Sequence, residues 1–260
     1  MDCPLVDRKV EELFAAELAE EYRCRRKRLW DEVVHGHSSM HVLERLAKFP
    51  AGLLLDPAHQ TFLSLVFWNF YDHIVLVVIK VLADRHREAL TLTDLKKWML
   101  ANCHRSVREE LEGALRDVAT GDKSAPVLAR ARTLRSKLVA HLDRRYALDA
   151  AARADAGLSL SDLRVLLAET ERLLSALSIG TGLAVVPMEY SDLVQYPTGL
   201  DPRSDIEYFL DLLAADSVLL KMPEEQREQW AVHARNLTPD ERETFNYWRQ
   251  RTCRKPWPFE

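Results

Sequence analysis

The sequence predicts an all-α fold, a helical bundle followed by a smaller, mostly helical C-terminal extension, and three observations carry that expectation. Leu, Ala, Glu and Arg recur at the 3.6-residue period of a helix over most of the chain. Glycine accounts for only 8 of the 260 residues, and runs of apolar–polar alternation are scarce. Hydrophobic residues make up 47% of the chain, enough at this length for one large core or two small ones. Residues 1–180 are expected to form the main bundle and 181–260 the extension.

Leu5 to Val34 reads as a long amphipathic helix with a basic block, Arg23, Arg25, Arg26, Lys27 and Arg28, near its C-terminal end, where positive charge suits the helix dipole. Gly36-His-Ser38-Ser39 offers a break with either serine as N-cap, and a short helix then runs to Phe49 before Pro50-Ala-Gly52. Asp56-Pro57 opens an apolar helix expected to continue to Arg87. Asn69, Asp72, His73, Leu76 and Lys80 fall at i, i+3, i+4, i+7 and i+11, which gathers its polar groups into one seam that partners must satisfy. Thr91 or Thr93 caps a helix through Leu95 to Leu100, and Val107 to Val118 forms another. Gly121-Asp-Lys-Ser124 turns the chain into the next helix, with Ser124 as N-cap and Pro126 in the first turn. Asp155 to Gly157 marks a break, after which Ser159 or Ser161 caps a helix that reaches Ile179 and ends at Gly180-Thr-Gly182. The chain then becomes irregular through Pro187, Pro197 and Pro202, with Leu183 to Val186 as a short candidate strand. Helices over Asp205 to Leu220 and Pro223 to Ala234 follow, and Thr238 is a further N-cap.

Lys and Arg number 36 against 40 Asp and Glu, a net charge of −4, which argues against the strong unselective nucleic-acid affinity of a basic domain and leaves any RNA contact local. Cys3, Cys24, Cys103 and Cys253 are scattered, with no Cys-x-x-Cys, the pattern of free thiols in a reducing compartment. Met1 to Glu21 carries acidic residues throughout and no uninterrupted apolar run, so the expected location is the cytoplasm. Phe62 to Leu82 is long and apolar enough to span a bilayer, yet one Asp near its middle costs about 2.5–3.5 kcal/mol on insertion. With Asn69 and His73 beside Asp72, a core helix is expected and no membrane partner. His35, His37 and His41 straddle the expected break with Asp31 as the nearest carboxylate, and a polar turn accounts for them without a metal. No Gly-x-Ser-x-Gly, P-loop, Gly-x-Gly-x-x-Gly or His-Glu-x-x-His occurs, and no cofactor is expected.

The most informative stretch is Arg130-Ala-Arg-Thr-Leu-Arg135-Ser-Lys-Leu-Val-Ala-His141-Leu-Asp143. Ala131, Leu134, Leu138 and Leu142 recur at helix spacing and predict one docked face. At about 100° per residue, Arg135 and His141 lie about 60° to either side of Leu138 and bracket a face about 120° wide. By spacing alone, the pair reads more simply as a surface arginine and a histidine at a helix C-terminus. The order of elements around it adds to the signal. Val81-Leu-Ala-Asp84, Leu90-Thr-Leu-Thr-Asp-Leu95, the Arg135 to His141 segment and Leu158-Ser-Leu-Ser-Asp-Leu163 follow one another. Together with five residues between Arg135 and His141, this order resembles the HEPN superfamily, and within it the AbiU2-like branch associated with bacterial abortive infection. The resemblance covers about residues 5 to 180.

The resemblance implies a HEPN-type bundle acting on RNA. RNA is cleaved without a metal when a base takes the proton of a 2′-hydroxyl, the oxygen attacks the adjacent phosphate, and a cation stabilises the developing charge. Histidine titrates near neutrality, and arginine stays charged and grips phosphate oxygens through its fork of donors. By resemblance, His141 is the proton-transfer group and Arg135 the phosphate-positioning one. In HEPN-like folds the helix before the motif helix supplies an acidic or polar residue, which points to Asp72 as a third member, against the alternative of a buried salt bridge to an unrelated arginine. Lys137, Arg144 and Arg145 are candidate RNA contacts. Ser136 stands where many HEPN nucleases carry Asn, Asp or His, and Asp143 where HEPN toxins paired with minimal nucleotidyltransferases often carry Tyr. The family's pairing of two motif helices implies a homodimer with a shared cleft, and a toxin role leaves room for an antitoxin protein. The expected function is a metal-independent endoribonuclease of a prokaryotic abortive-infection or toxin–antitoxin type defence system. The alternative is a catalytically inactive HEPN-like module that binds RNA or a protein partner.

Overall fold

The structure, a computed structural model, describes residues 5, 7–49, 51, 55, 57–84, 86, 88–139, 157–180, 205–215 and 238–239. Among the described residues every regular element is helical: α1 (Val10–Leu13), α2 (Ala16–Lys48), α3 (Pro57–Leu82), α4 (Leu92–Asn102), α5 (Arg108–Leu115), α6 (Ala125–Leu134), α7 (Leu160–Ala176) and α8 (Asp205–Ala215). A 3-10 turn at Arg105–Val107 leads into α5, and a π-helical turn over Arg135–Val139 continues α6. The chain divides into two units, one of Met1–Met40 with Tyr71–Met188 and the other of His41–Phe70 with Glu189–Glu260.

In the first unit the N-terminal helix expected from Leu5 is interrupted. Phe14 is extended (φ −134°, ψ 150°) and separates α1 from α2. Its ring is buried, stacked on Tyr22 at 5.5 Å and tilted against Trp98 at 5.4 Å, so burial of an aromatic side chain outweighs helix continuity there.

The expected break at Gly36 does not occur. The Ser38 and Ser39 hydroxyls donate to the Val34 and His35 carbonyls one turn back, at 2.7 and 2.8 Å, instead of capping a new helix. Gly36 is a packing residue: a Cβ there would lie 2.8 Å from Leu167 Cδ2 of α7 and 3.1 Å from Val77 Cγ1 of α3. The missing side chain lets three helices meet.

Helix continuity also relocates the basic block to the middle of α2, away from any helix terminus. There Arg23 pairs with Glu11 and Glu20, Lys27 with Asp31 and Arg28 with Glu32. Arg25 pairs with Glu21 and Asp94 and lies 5.2 Å over the Trp98 ring.

α3 ends at Leu82 rather than Arg87, because the Asp84 carboxylate accepts the His86 amide in a turn of its own. Over His59–Leu82 it is long and apolar enough, by length and composition, to cross a bilayer. In the first unit its apolar residues serve a protein core, with Ile74, Val75 and Val78 fully buried. Two groups of the seam are satisfied by α2: His73 Nδ1 shares a 2.7 Å hydrogen bond with the Ser39 hydroxyl, and Lys80 reaches Glu32 at 2.5 Å.

The second unit takes the end of α2, the first half of α3, and α8. Leu46, Phe49, Leu63, Leu210 and Ala214 form its buried centre, while Phe62, Leu65 and Trp68 of α3 are exposed. The candidate strand Leu183 to Val186 and the helix Pro223 to Ala234 lie outside the described residues.

Replacing Gly36 by Ala sets two effects against each other. Helix propensity favours Ala by about 1 kcal/mol, whereas overpacking costs about 1–3 kcal/mol. Leu167 and Val77 are both buried and closely surrounded, so the clash is expected to win by about 1 kcal/mol. Gly36→Ala is expected to lower the urea midpoint with an unchanged m-value. A raised midpoint would show that the three-helix contact is loose.

Candidate functional site

The stretch that carries Arg135 is placed by α7. That helix begins at a capping box, in which Ser159 Oγ accepts the Asp162 amide and the Asp162 carboxylate accepts the Ser159 amide. Arg130 of α6 joins it, donating to Asp162 Oδ1 at 2.7 Å and to the Gly157 carbonyl at 3.2 Å. Farther along α7, the buried Glu169 accepts the Gly121 amide at 2.6 Å, and Arg172 both pairs with Glu169 and donates to the Ala119 carbonyl. The turn into α6 and the middle of α6 are thus each tied to one surface of α7. Ser124 is the N-cap residue, but its hydroxyl donates backward to the Gly121 carbonyl and makes no cap bond.

α6 buries the predicted stripe as far as it is described, with Leu128, Ala131 and Leu134 in the core. The regular helix then stops. Thr133 Oγ1 donates to the Ala129 carbonyl, and Ser136 Oγ to the Thr133 carbonyl at 3.2 Å. That carbonyl is the acceptor an α-helix would offer to the Lys137 amide, so its occupation favours a wider turn. The chain accordingly follows a π-helical turn from Arg135 to Val139. Hydrogen bonding from i to i+5 winds less per residue than an α-helix; the expected bracket of about 120° ends at His141, which lies outside the described residues. Ser136 and Lys137 are half-buried. His141, Asp143, Arg144 and Arg145 lie outside the described residues.

Arg135 is half-buried, and among the described residues neither a carboxylate nor a carbonyl engages its guanidinium. Arg132, one turn earlier, is also half-buried, and its Nε is enclosed without an acceptor.

Asp72 is half-buried, and burial pushes its carboxyl pKa upward. Among the described residues no arginine pairs with it, and no bond joins it to Arg135. It stands next to the buried Tyr71, whose hydroxyl donates to the Leu158 carbonyl and accepts the Leu158 amide at 2.9 and 3.0 Å. Burial raises the Tyr71 pKa, and the nearby charges of Asp72 and Asp162 push it the same way against Arg130. Asp72 therefore neighbours Tyr71, which also feels the charges of Arg130 on α6 and Asp162 on α7.

Of the three histidines on α2, His37 is turned inward with its Nε2 3.5 Å from Glu171 of α7. Burial lowers the His37 pKa and raises that of Glu171. Among the described residues no three His, Cys, Asp or Glu side chains converge as a metal-ligand set.

Sequence reasoning passed over Tyr71, Arg130, Arg132, Glu169 and Arg172. The Glu169–Arg172 pair at i, i+3 was detectable as a helical ion pair. Nothing in the spacing showed that it reaches a turn 48 residues away.

The family model described as AbiU2, of HEPN type, matches residues 19–194, about two thirds of the chain and the whole stretch from Arg130 to Asp143. No curated protein and no solved structure matches.

The Glu169 interaction has a signed pH dependence. Its hydrogen bond with Arg172, aided by the Gly121 amide, holds its carboxyl below the ordinary value of 4.5. The folded state therefore binds the proton less readily than the unfolded state. The stabilisation is fully present above the unfolded value and is lost as the pH falls through the folded one. Thermal midpoints measured across the acid range are expected to fall less steeply for Glu169→Gln than for the parent, and to be lower than the parent's at neutral pH. Equal acid slopes would remove Glu169 from this role.

Proposed function

This chain belongs to the HEPN AbiU2 family, a family of abortive-infection-related HEPN domains, and we propose that it is a metal-independent endoribonuclease of a prokaryotic defence or toxin–antitoxin system. The observation that carries the reading is Arg135: a half-buried residue whose guanidinium has no counter-ion among the described residues, inside the family match and six residues ahead of His141. A cation partly withdrawn from water and without a carboxylate partner favours an anionic ligand. A π-helical turn under it adds support, since such turns occur frequently at functional sites.

In the proposed reaction His141 accepts the proton of a ribose 2′-hydroxyl, and the 2′-oxygen bonds to the adjacent phosphorus. The bond from phosphorus to the 5′-oxygen breaks, that oxygen leaves as a hydroxyl after taking a proton from water, and His141 returns its proton to the solvent. Arg135 stabilises the charge on the non-bridging oxygens. Lys137, Arg144 and Arg145 are proposed to contact flanking phosphates, with Asp72, Ser136 and Asp143 in support. An antitoxin protein would have to cover this region or prevent its assembly.

Incubating the purified chain with total RNA in a chelator tests the reading directly. Cleavage leaving a 2′,3′-cyclic phosphate is expected, and Arg135→Ala and His141→Ala are each expected to lower it at least 100-fold without loss of helical content. His141→Ala should still bind RNA. Full cleavage by both variants, or strict dependence on an added divalent metal, rejects the mechanism.

The homodimer is tested by subunit exchange. Wild-type subunits are mixed with Arg135→Ala/His141→Ala subunits and the RNA cleavage of the mixture is measured. A cleft built from both chains makes mixed dimers inactive, and activity then falls as the square of the wild-type fraction. A linear fall shows that each subunit owns a complete site.

A further inference from the structure

We propose that Arg132 is a second phosphate-binding group, which takes a phosphate of the same RNA strand one helical turn from Arg135. The inference rests on the RNA reading above but concerns a residue outside the Arg135 and His141 pair. From Ala125 to Val139 the chain carries Arg130, Arg132, Arg135 and Lys137 and no acidic residue. Arg130 is neutralised by Asp162. Arg132 has no hydrogen-bond or ion-pair partner among the described residues, and its Nε is shut off from water as well. That nitrogen has lost hydration and gained no acceptor in return. Arg135 sits three residues on, and its backbone is still α-helical (φ −57°, ψ −48°), so the two side chains share a face with about 5–6 Å between Cβ atoms.

Two like charges at that spacing repel unless an anion lies between or beside them. Carboxylates supply that anion for most of the basic block of α2, and none does so here among the described residues. A phosphate suits such a pair of cations, because the donors of a guanidinium match two of its oxygens. The separation of Arg132 and Arg135 fits one phosphate held from two sides or two consecutive phosphates of a single strand.

The test uses the full chain carrying His141→Ala, so that RNA is bound under conditions where cleavage is blocked. The Kd for a labelled single-stranded oligoribonucleotide is measured by anisotropy from about 50 to 200 mM salt. Adding Arg132→Met is expected to weaken binding roughly fivefold at the low end and to reduce the slope of log Kd against log salt by about 0.7, the value of one phosphate contact on a single strand. Arg132→Lys should keep the slope. In chloride buffer Arg132→Met should melt no lower than the parent, since an unpaired half-buried charge gives way to an apolar chain of similar length. Inorganic phosphate should raise the parent's melting temperature more than the variant's.

Parent-like affinity and slope in Arg132→Met, or no RNA binding by the parent, overturns the proposal. A lower melting point in chloride with an unchanged slope assigns Arg132 a structural role and likewise overturns it. Cleavage by the wild-type chain is scored separately. A reduced slope without any wild-type cleavage sustains Arg132 and rejects the nuclease, whereas cleavage with an unchanged slope does the reverse.

Discussion

Two buried tyrosine hydroxyls fix α7, and the placement of α6 follows from α7. Tyr71 of α3 holds both the amide and the carbonyl of Leu158 just before the helix. Tyr22 of α2 donates to the Leu177 carbonyl and accepts the Ile179 amide just after it, both at 2.8 Å. Each hydroxyl acts as donor and acceptor at once, so four backbone groups at the ends of a buried helix find partners without water. Gly180 completes the exit with a φ of 65°, and a Cβ at that residue would collide with the Arg8 carbonyl. Leu163, Leu166, Leu167 and Leu174 fill the face between the two clamps.

Held in this way, α7 presents Asp162, Glu169 and Arg172 at fixed heights, and these hold α6 and the turn before it. The motif helix is therefore oriented by polar contacts on one side and by Leu128, Ala131 and Leu134 on the other. Its departure from α-helical winding begins where the Ser136 hydroxyl takes the Thr133 carbonyl. The sequence has a serine at the place where the family resemblance leads one to look for a longer polar side chain. Here that serine acts on the backbone.

The two groups of arginines differ in their counter-ions. On α2 the paired cations face acidic residues of the same helix, of α1 and of α4, and they are structural. On α6 and the turn that continues it, the cations at 132 and 135 are half-buried with no such partners among the described residues. Density of basic residues in the sequence drew attention to the first group. Lack of neutralisation, which is a property of the packing, singles out the second.

The sequence by itself determined the helical class, the AbiU2 kinship, the cap regions at Thr91 or Thr93 and at Ser159 or Ser161, of which the structure uses Thr91 and Ser159, and the buried stripe of α6, because each is written in local spacing or in the order of local patterns. It did not determine the state of Gly36. Glycine followed by serines is a break signal when read locally, and only the approach of Leu167 and Val77 from two other helices turns it into a packing site. Nor did it determine that Phe14 interrupts the first helix, since the Tyr22 and Trp98 rings that hold it come from elsewhere in the chain. The π-helical turn at Arg135 was not read from the sequence: Thr133 and Ser136 take backbone carbonyls, and whether such residues do so inside a helix depends on side-chain rotamers. Partnerships across tens of residues, such as Glu169 with the Gly121 amide or Tyr71 with Leu158, were decided by tertiary structure alone, because a hydrogen bond depends on distance in space and leaves no period in the sequence.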